Sequence, residues 1–185
     1  MALPTFVRKH SLIAVTAALF GLAIWRLWWQ PELPAVLAFI FGGVVLGVID
    51  WRYHRLPTKL VYYTLAGVAT GLGFGALVSW DWWPLLMATA GAVILANAFY
   101  AVHVLGTKFL GMRIIGFGDV RLAFILGALL GWAGLSYLFT GMVVAMLVAL
   151  PVALWTLWRE RKFTVNIAFG PPLMIGTLAV VLLHA

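Results

Sequence analysis

The chain has 185 residues, 65% hydrophobic and 9% charged, with a mean hydropathy of +1.09. That composition excludes an ordinary soluble domain and marks a polytopic membrane protein. The net charge of +7 is spread over short joints and is attached to no soluble domain, so no nucleic-acid partner is expected.

Crossing a hydrocarbon core of about 30 Å takes about 20 helical residues. The sequence divides into seven such spans: Ser11 to Trp29, Pro34 to Asp50, Leu60 to Trp80, Pro84 to Gly106, Asp119 to Phe139, Gly141 to Trp158 and Ile167 to His184. Irregular backbone and open sheet edges cannot face lipid, and no span alternates with period two, so the expected fold is an all-α membrane bundle. In the first span Arg8, Lys9 and His10 precede an apolar run that reaches Trp28 and Trp29 without a small-x-small site. It therefore reads as an uncleaved anchor rather than a signal peptide. Residues 1–33 form a tail plus this additional helix, and residues 34–185 form a six-helix core.

Close helix approach in lipid relies on small residues. Gly43 and Gly47, then Gly67, Gly71 and Gly75, then Gly127 and Gly131 recur every four residues and are read as packing surfaces. Pro34, Pro57 and Pro84 stand at joints, whereas Pro151 falls inside the sixth span, where its ring kinks a helix. Asn97 and His103 lie on the fourth span as candidates for hydrogen bonds between helices.

With the N-terminus in the cytoplasm, Arg8, Lys9, Arg52, Arg55, Lys59, Lys108, Arg113, Arg121, Arg159, Arg161 and Lys162 fall on the inner side. Arg26 alone falls towards the outer side, as the positive-inside rule requires. Trp28, Trp29, Trp80, Trp82, Trp83 and Trp132 then form an outer aromatic belt, and Trp51, Trp155 and Trp158 an inner one. Glu32 and Asp81 lie outside.

Only five acids occur in the chain. Asp50 closes the second span and Asp119 opens the fifth, with two spans between them, so both occupy one membrane surface. Each has a plain reading alone. Asp50 can pair with Arg52 or Arg55 beside headgroups, and Asp119 can cap a helix N-terminus. Together, acids at membrane depth are functional candidates, and two adjacent carboxyls can share one proton, one activating water while the other serves as acid. The helix ends suggest Asp119 as the carboxylate and Asp50 as the acid. Gly116 and Gly118, flanking Phe117, would let backbone approach an extended substrate or adopt conformations closed to other residues. His54, Lys59 and Arg121 read most simply as headgroup-facing or snorkelling side chains. The absence of cysteine excludes disulfides, thiolate zinc and cysteine nucleophiles. No metal or cofactor is expected.

Asp50-Trp-Arg-Tyr-His-Arg-Leu-Pro57 resembles the first catalytic motif of the type IV prepilin peptidases, GFGDVRL over Gly116 to Leu122 resembles their second, and Phe169-Gly170-Pro171-Pro172-Leu173 with Gly176 resembles their closing motif. The resemblance covers about residues 34 to 180. It implies a GxGD-type intramembrane aspartic endopeptidase with Asp50 and Asp119 as the catalytic pair, and Gly116, Gly118, Pro57, Gly170 and Pro171 shaping the site or binding substrate. The implied substrates are prepilins or pseudopilins, cut after a glycine at the cytoplasmic face of the plasma membrane. Many bacterial members carry a cytosolic domain with paired CxxC motifs and methylate the new N-terminus. A cysteine-free chain joining its first two spans by Gln30 to Leu33 is expected to have neither, as in the short archaeal or tight-adherence forms. Two readings of other classes compete: an ion- or proton-coupled transporter using Asp50 and Asp119, and a non-catalytic pilus or secretion scaffold. Lipids are partners in any of these, and the oligomeric state is open.

Overall fold

The computed structural model describes residues 5–53, 57–109, 116–160 and 170–184. They form seven helices, with no strand among the described residues: α1 (Thr5–Leu27), α2 (Leu33–Tyr53), α3 (Thr58–Ser79), α4 (Trp83–Phe109), α5 (Phe117–Ala133), α6 (Ser136–Glu160) and α7 (Gly170–His184). Leu33–Asp50, Thr58–Ser79 and Trp83–Phe109 are long and apolar enough to cross a membrane, and Leu12–Leu27, Ser136–Pro151 and Gly170–His184 are shorter apolar stretches.

Three boundaries differ from the sequence reading. α2 continues to Tyr53, so Asp50 lies in the last turn without being its final residue. α5 stops at Ala133 and α6 begins at Ser136, which moves Phe139 into the sixth helix. The cause is Gly134, whose φ of 136° is closed to side-chain-bearing residues and whose N–H donates to the carbonyls of Leu130 and Gly131. The seventh expected span begins at Ile167, outside the described residues, as do His54, Arg113 and Phe169. Pro151 stands inside α6 as expected.

α5 is the centre of the bundle. It packs on α3, α4, α6 and α7, and ten of its residues are buried, from Val120 to Trp132. A helix covered over most of its surface by protein reads as apolar all round, and it need not span lipid unaided at 17 residues. Its tightest partner is α4. A Cβ on Gly91 would strike the Gly127 carbonyl and one on Gly127 would strike the Gly91 carbonyl, so backbone meets backbone here. Gly71 and Gly75 similarly seat α3 against Ala35 and Pro31, and Gly176 seats α7 against Ala145. Gly43 and Gly47 behave differently from the expectation. Apart from their own helix's Phe39, only the Met174 sulfur lies near them, 3.6 and 4.0 Å from where a Cβ would stand.

The end of the bundle far from Asp50 is fastened by polar contacts. Arg26 Nε donates to the Leu182 carbonyl at 3.1 Å, where the end of α7 favours a cation. Buried Glu32 accepts the Trp132 indole N–H at 3.2 Å, and Tyr137 meets His184 edge to face at 4.6 Å. Trp132 is therefore a buried fastener rather than a member of the belt, whereas Trp28, Trp29, Trp80, Trp82 and Trp83 are exposed.

Gly127→Val should force α4 and α5 apart and cost about 1–3 kcal/mol, the usual range for overpacking. Gly73→Ala, with nothing within 4 Å of the new methyl, should leave stability unchanged. Denaturant titration in bicelles checks both, and an undiminished midpoint for Gly127→Val would remove the backbone contact from the account of the fold.

Candidate active site

Two helix starts and one helix end build the site. Asp50 occupies the last turn of α2 and is 6% exposed. An isolated carboxyl at that depth is costly unless it finds donors. Its donor is the first residue of α7: the Gly170 N–H points at Asp50 Oδ2 with a separation of 3.2 Å. Helix starts carry unsatisfied N–H groups that no intrahelical carbonyl can accept. A Cβ at position 170 would lie 2.6 Å from Oδ2, so only glycine allows this approach without displacing the carboxyl.

Asp119 sits in the first turn of α5, half-buried, its own N–H donating to the Gly116 carbonyl at 3.0 Å. It does not cap the helix with its side chain. The N-cap position belongs to Gly116, with φ −69° and ψ 147°. That conformation is open to any residue, and a Cβ there would make an ordinary contact with Asp119 Oδ2 at 3.4 Å. Gly118 lies half-buried in the same turn.

Asp50 on α2 and Asp119 on α5 lie on helices that both pack against α7. The structure thus brings together at one end of the bundle two acids 69 positions apart in sequence, with Gly116, Gly118 and Gly170 around them. α7 is the structural bridge, since it packs on both α2 and α5. Asp50 lies in the last turn of α2 and Asp119 in the first turn of α5, so the two acids stand at opposite helix ends. Pro171 is half-buried beside Gly170, and Pro57 is exposed before α3, its carbonyl accepting the N–H groups of Leu60 and Val61. Among the described residues no group of three His, Asp or Glu could hold a metal.

Sequence reasoning missed a contact beside the pair. Arg121, read as a snorkelling residue, places Nη1 2.6 Å from Thr58 Oγ1 and its guanidinium 4.8 Å from the Phe117 ring centroid. It ties the start of α3, just after Pro57, to the first turn of α5. The signal was present in the spacing: Phe117 and Arg121 are i and i+4 on one helix face. His103 packs edge-on to the same ring at 5.9 Å, and Asn97 bonds only within its own helix, to the Val93 carbonyl at 2.8 Å.

The profile of the family described as Type IV leader peptidase family matches residues 37–157. Three similar curated proteins are named prepilin leader peptidase/N-methyltransferase. The one from Pseudomonas putida is 29% identical over 93% of this chain and 58% of its own length. The one from Dickeya chrysanthemi is 32% identical over 94% and 60%, and the one from Escherichia coli (strain K12) is 29% identical over 90% and 70%. The chain spans less than two thirds of the length of the first two. No solved structure matches it.

An amide bonded to a charged group contributes about 1.5–3 kcal/mol. Gly170→Ala should therefore lower stability, and in a double-mutant cycle with Asp50→Ala the two losses should overlap by about 0.5–3 kcal/mol, as contacting residues do. Simple additivity in reversible unfolding would show that the amide does not hold the carboxyl.

Proposed function

Because the chain belongs to the type IV leader peptidase family, we propose that it is a membrane-embedded aspartic endopeptidase that removes the short basic leader of prepilins or pseudopilins. The observation that carries the aspartic assignment is geometric: α7 packs on both the helix bearing Asp50 and the helix bearing Asp119, and its first N–H donates to Asp50. Two carboxyls within each other's field hold one proton between them. In the proposed reaction one carboxylate takes a proton from water as its oxygen attacks the scissile carbonyl, while the other carboxyl donates a hydrogen bond to that carbonyl oxygen. Collapse of the tetrahedral intermediate breaks the C–N bond. The leaving amine takes up a proton, and each turnover consumes one water.

The remaining groups orient this pair. The Gly170 amide fixes one Asp50 oxygen, Pro171 continues the wall, and Gly116 and Gly118 keep the approach to Asp119 narrow but open. Pro57 starts α3, which Arg121 fastens to the helix bearing Asp119. The excess of basic residues on the Asp side in the topology drawn from sequence supports a plasma-membrane protein whose active site faces the cytoplasm. Only carboxyls and water take part in the proposed chemistry. Methyl transfer to the new N-terminus is not part of it.

Purified full-length protein in lipid, incubated with prepilin precursors, should release the leader and leave a product whose mass marks a cut after glycine. Asp50→Asn and Asp119→Asn should each lower the rate by at least about 10²–10⁴, the range for losing a general acid or base. Full activity in either variant would sink the aspartic mechanism, and ion-dependent solute flux without cleavage would favour a transporter. A product heavier by one methyl group would overturn the non-methylating reading.

A further inference from the structure

Among the described side chains, α1 is buried most deeply near its C-terminal end. Ala23 and Leu27 are fully buried and Arg26 bonds α7, whereas no described side chain from Leu12 to Leu22 is fully buried. Along that less covered half an apolar cavity of about 500 Å³ opens between α1, α2 and α7, with Leu12, Val15 and Leu19 on one wall. Gly43 and Gly47 lie in the α2 wall between Phe39, Ile40, Val44 and Val48, and Pro171, Met174, Ile175 and Leu178 form the α7 wall.

The α2 wall connects this cavity with the acid pair. Residues 43, 47 and 50 follow the i, i+4, i+7 rule, which places them on one helix face. Gly47 precedes Asp50 by about 4.5 Å of rise and Gly43 by about 10 Å. At the same end Pro171 follows Gly170, whose N–H holds Asp50. The groove and the carboxyl thus share both an α2 stripe and the first turn of α7. Elsewhere Gly71, Gly91, Gly127, Gly131 and Gly176 have the backbone of another helix against them and Gly75 the Pro31 carbonyl, whereas among the described residues only the Phe39 ring of the same helix and the flexible Met174 thioether stand near Gly43 and Gly47.

We infer that this groove seats the apolar helix of the substrate, which runs from the acid pair along Gly47 and Gly43 towards the far end. This rests on the peptidase reading above. A leader cut at Asp50 and Asp119 must continue into an apolar segment that has somewhere to lie, and the stripe leading away from Asp50 is bare. Paired small residues allow close approach of a second helix backbone. Lipid chains, which are flexible, need no such pair.

The cysteine-free chain permits a clean test by single-cysteine cross-linking of the full-length protein in lipid. The probe is a synthetic precursor with a basic leader, a glycine and an apolar helix carrying one cysteine in its first two turns. Cleavage by the parent protein is measured first. Val44→Cys and Leu178→Cys, on the groove, should then cross-link about tenfold more than Val93→Cys, which is exposed on α4. Filling the groove with Gly47→Leu should reduce that yield and raise KM, whereas Gly73→Leu, in open space, should change neither. Cleavage accompanied by equal or α4-favouring cross-links would overturn the groove and leave the peptidase standing. Absence of cleavage by the parent would overturn both.

Discussion

Everything in this bundle depends on one constraint: helices in lipid gain nothing from hiding apolar surface from one another, so they must hold together by close backbone approach and by satisfied polar groups. The α4–α5 contact through Gly91, Gly127 and Gly131 is the strongest expression of it. That contact fixes the central helix, and the central helix carries Asp119 in its first turn. The position of a reactive acid is therefore set by glycines two and three turns away, on residues that have no chemistry of their own.

The same constraint explains Asp50. Burying a carboxyl where neither water nor lipid headgroups solvate it would be prohibitive without a donor. The start of α7 supplies one at no cost to its own hydrogen bonding, because the first N–H groups of a helix have no internal acceptor. The arrangement works in both directions, since each group relieves the other's unmet demand. It also makes the identity of residue 170 a steric matter, with the Asp50 oxygen standing where any Cβ would go.

Much of this was legible in the sequence because membrane physics leaves few choices. The composition admits only helices, and the number of spans between Asp50 and Asp119 places both at one end. The α3 and α5 glycine series read correctly as packing surfaces for the same reason. What escaped were features decided by tertiary partners. The end of α5 was misplaced because hydrophobicity runs straight through Leu130 to Phe139, while the break comes from the backbone of Gly134. Arg121 and Trp132 were assigned to the membrane interface by residue type, but Thr58 with Phe117 and Glu32 claim them. Gly43 and Gly47 looked like the other glycine pairs, and no local signal tells a filled stripe from a bare one.

That last distinction bears on how the bundle divides its labour. A glycine pair facing another helix spends its small size on stability, and a substitution there is felt throughout the fold. A pair facing a groove contributes little to packing, and larger residues would bury more surface against Met174 and α1. The described structure retains the smaller residues on the one α2 face that also carries Asp50, while the fully buried described side chains of α1, Ala23 and Leu27, and the Arg26 bond lie at the opposite end. Stability is thus concentrated in α4, α5 and the far-end polar contacts. The stripe leading to the acid pair is left free to receive a helix that is not part of the chain.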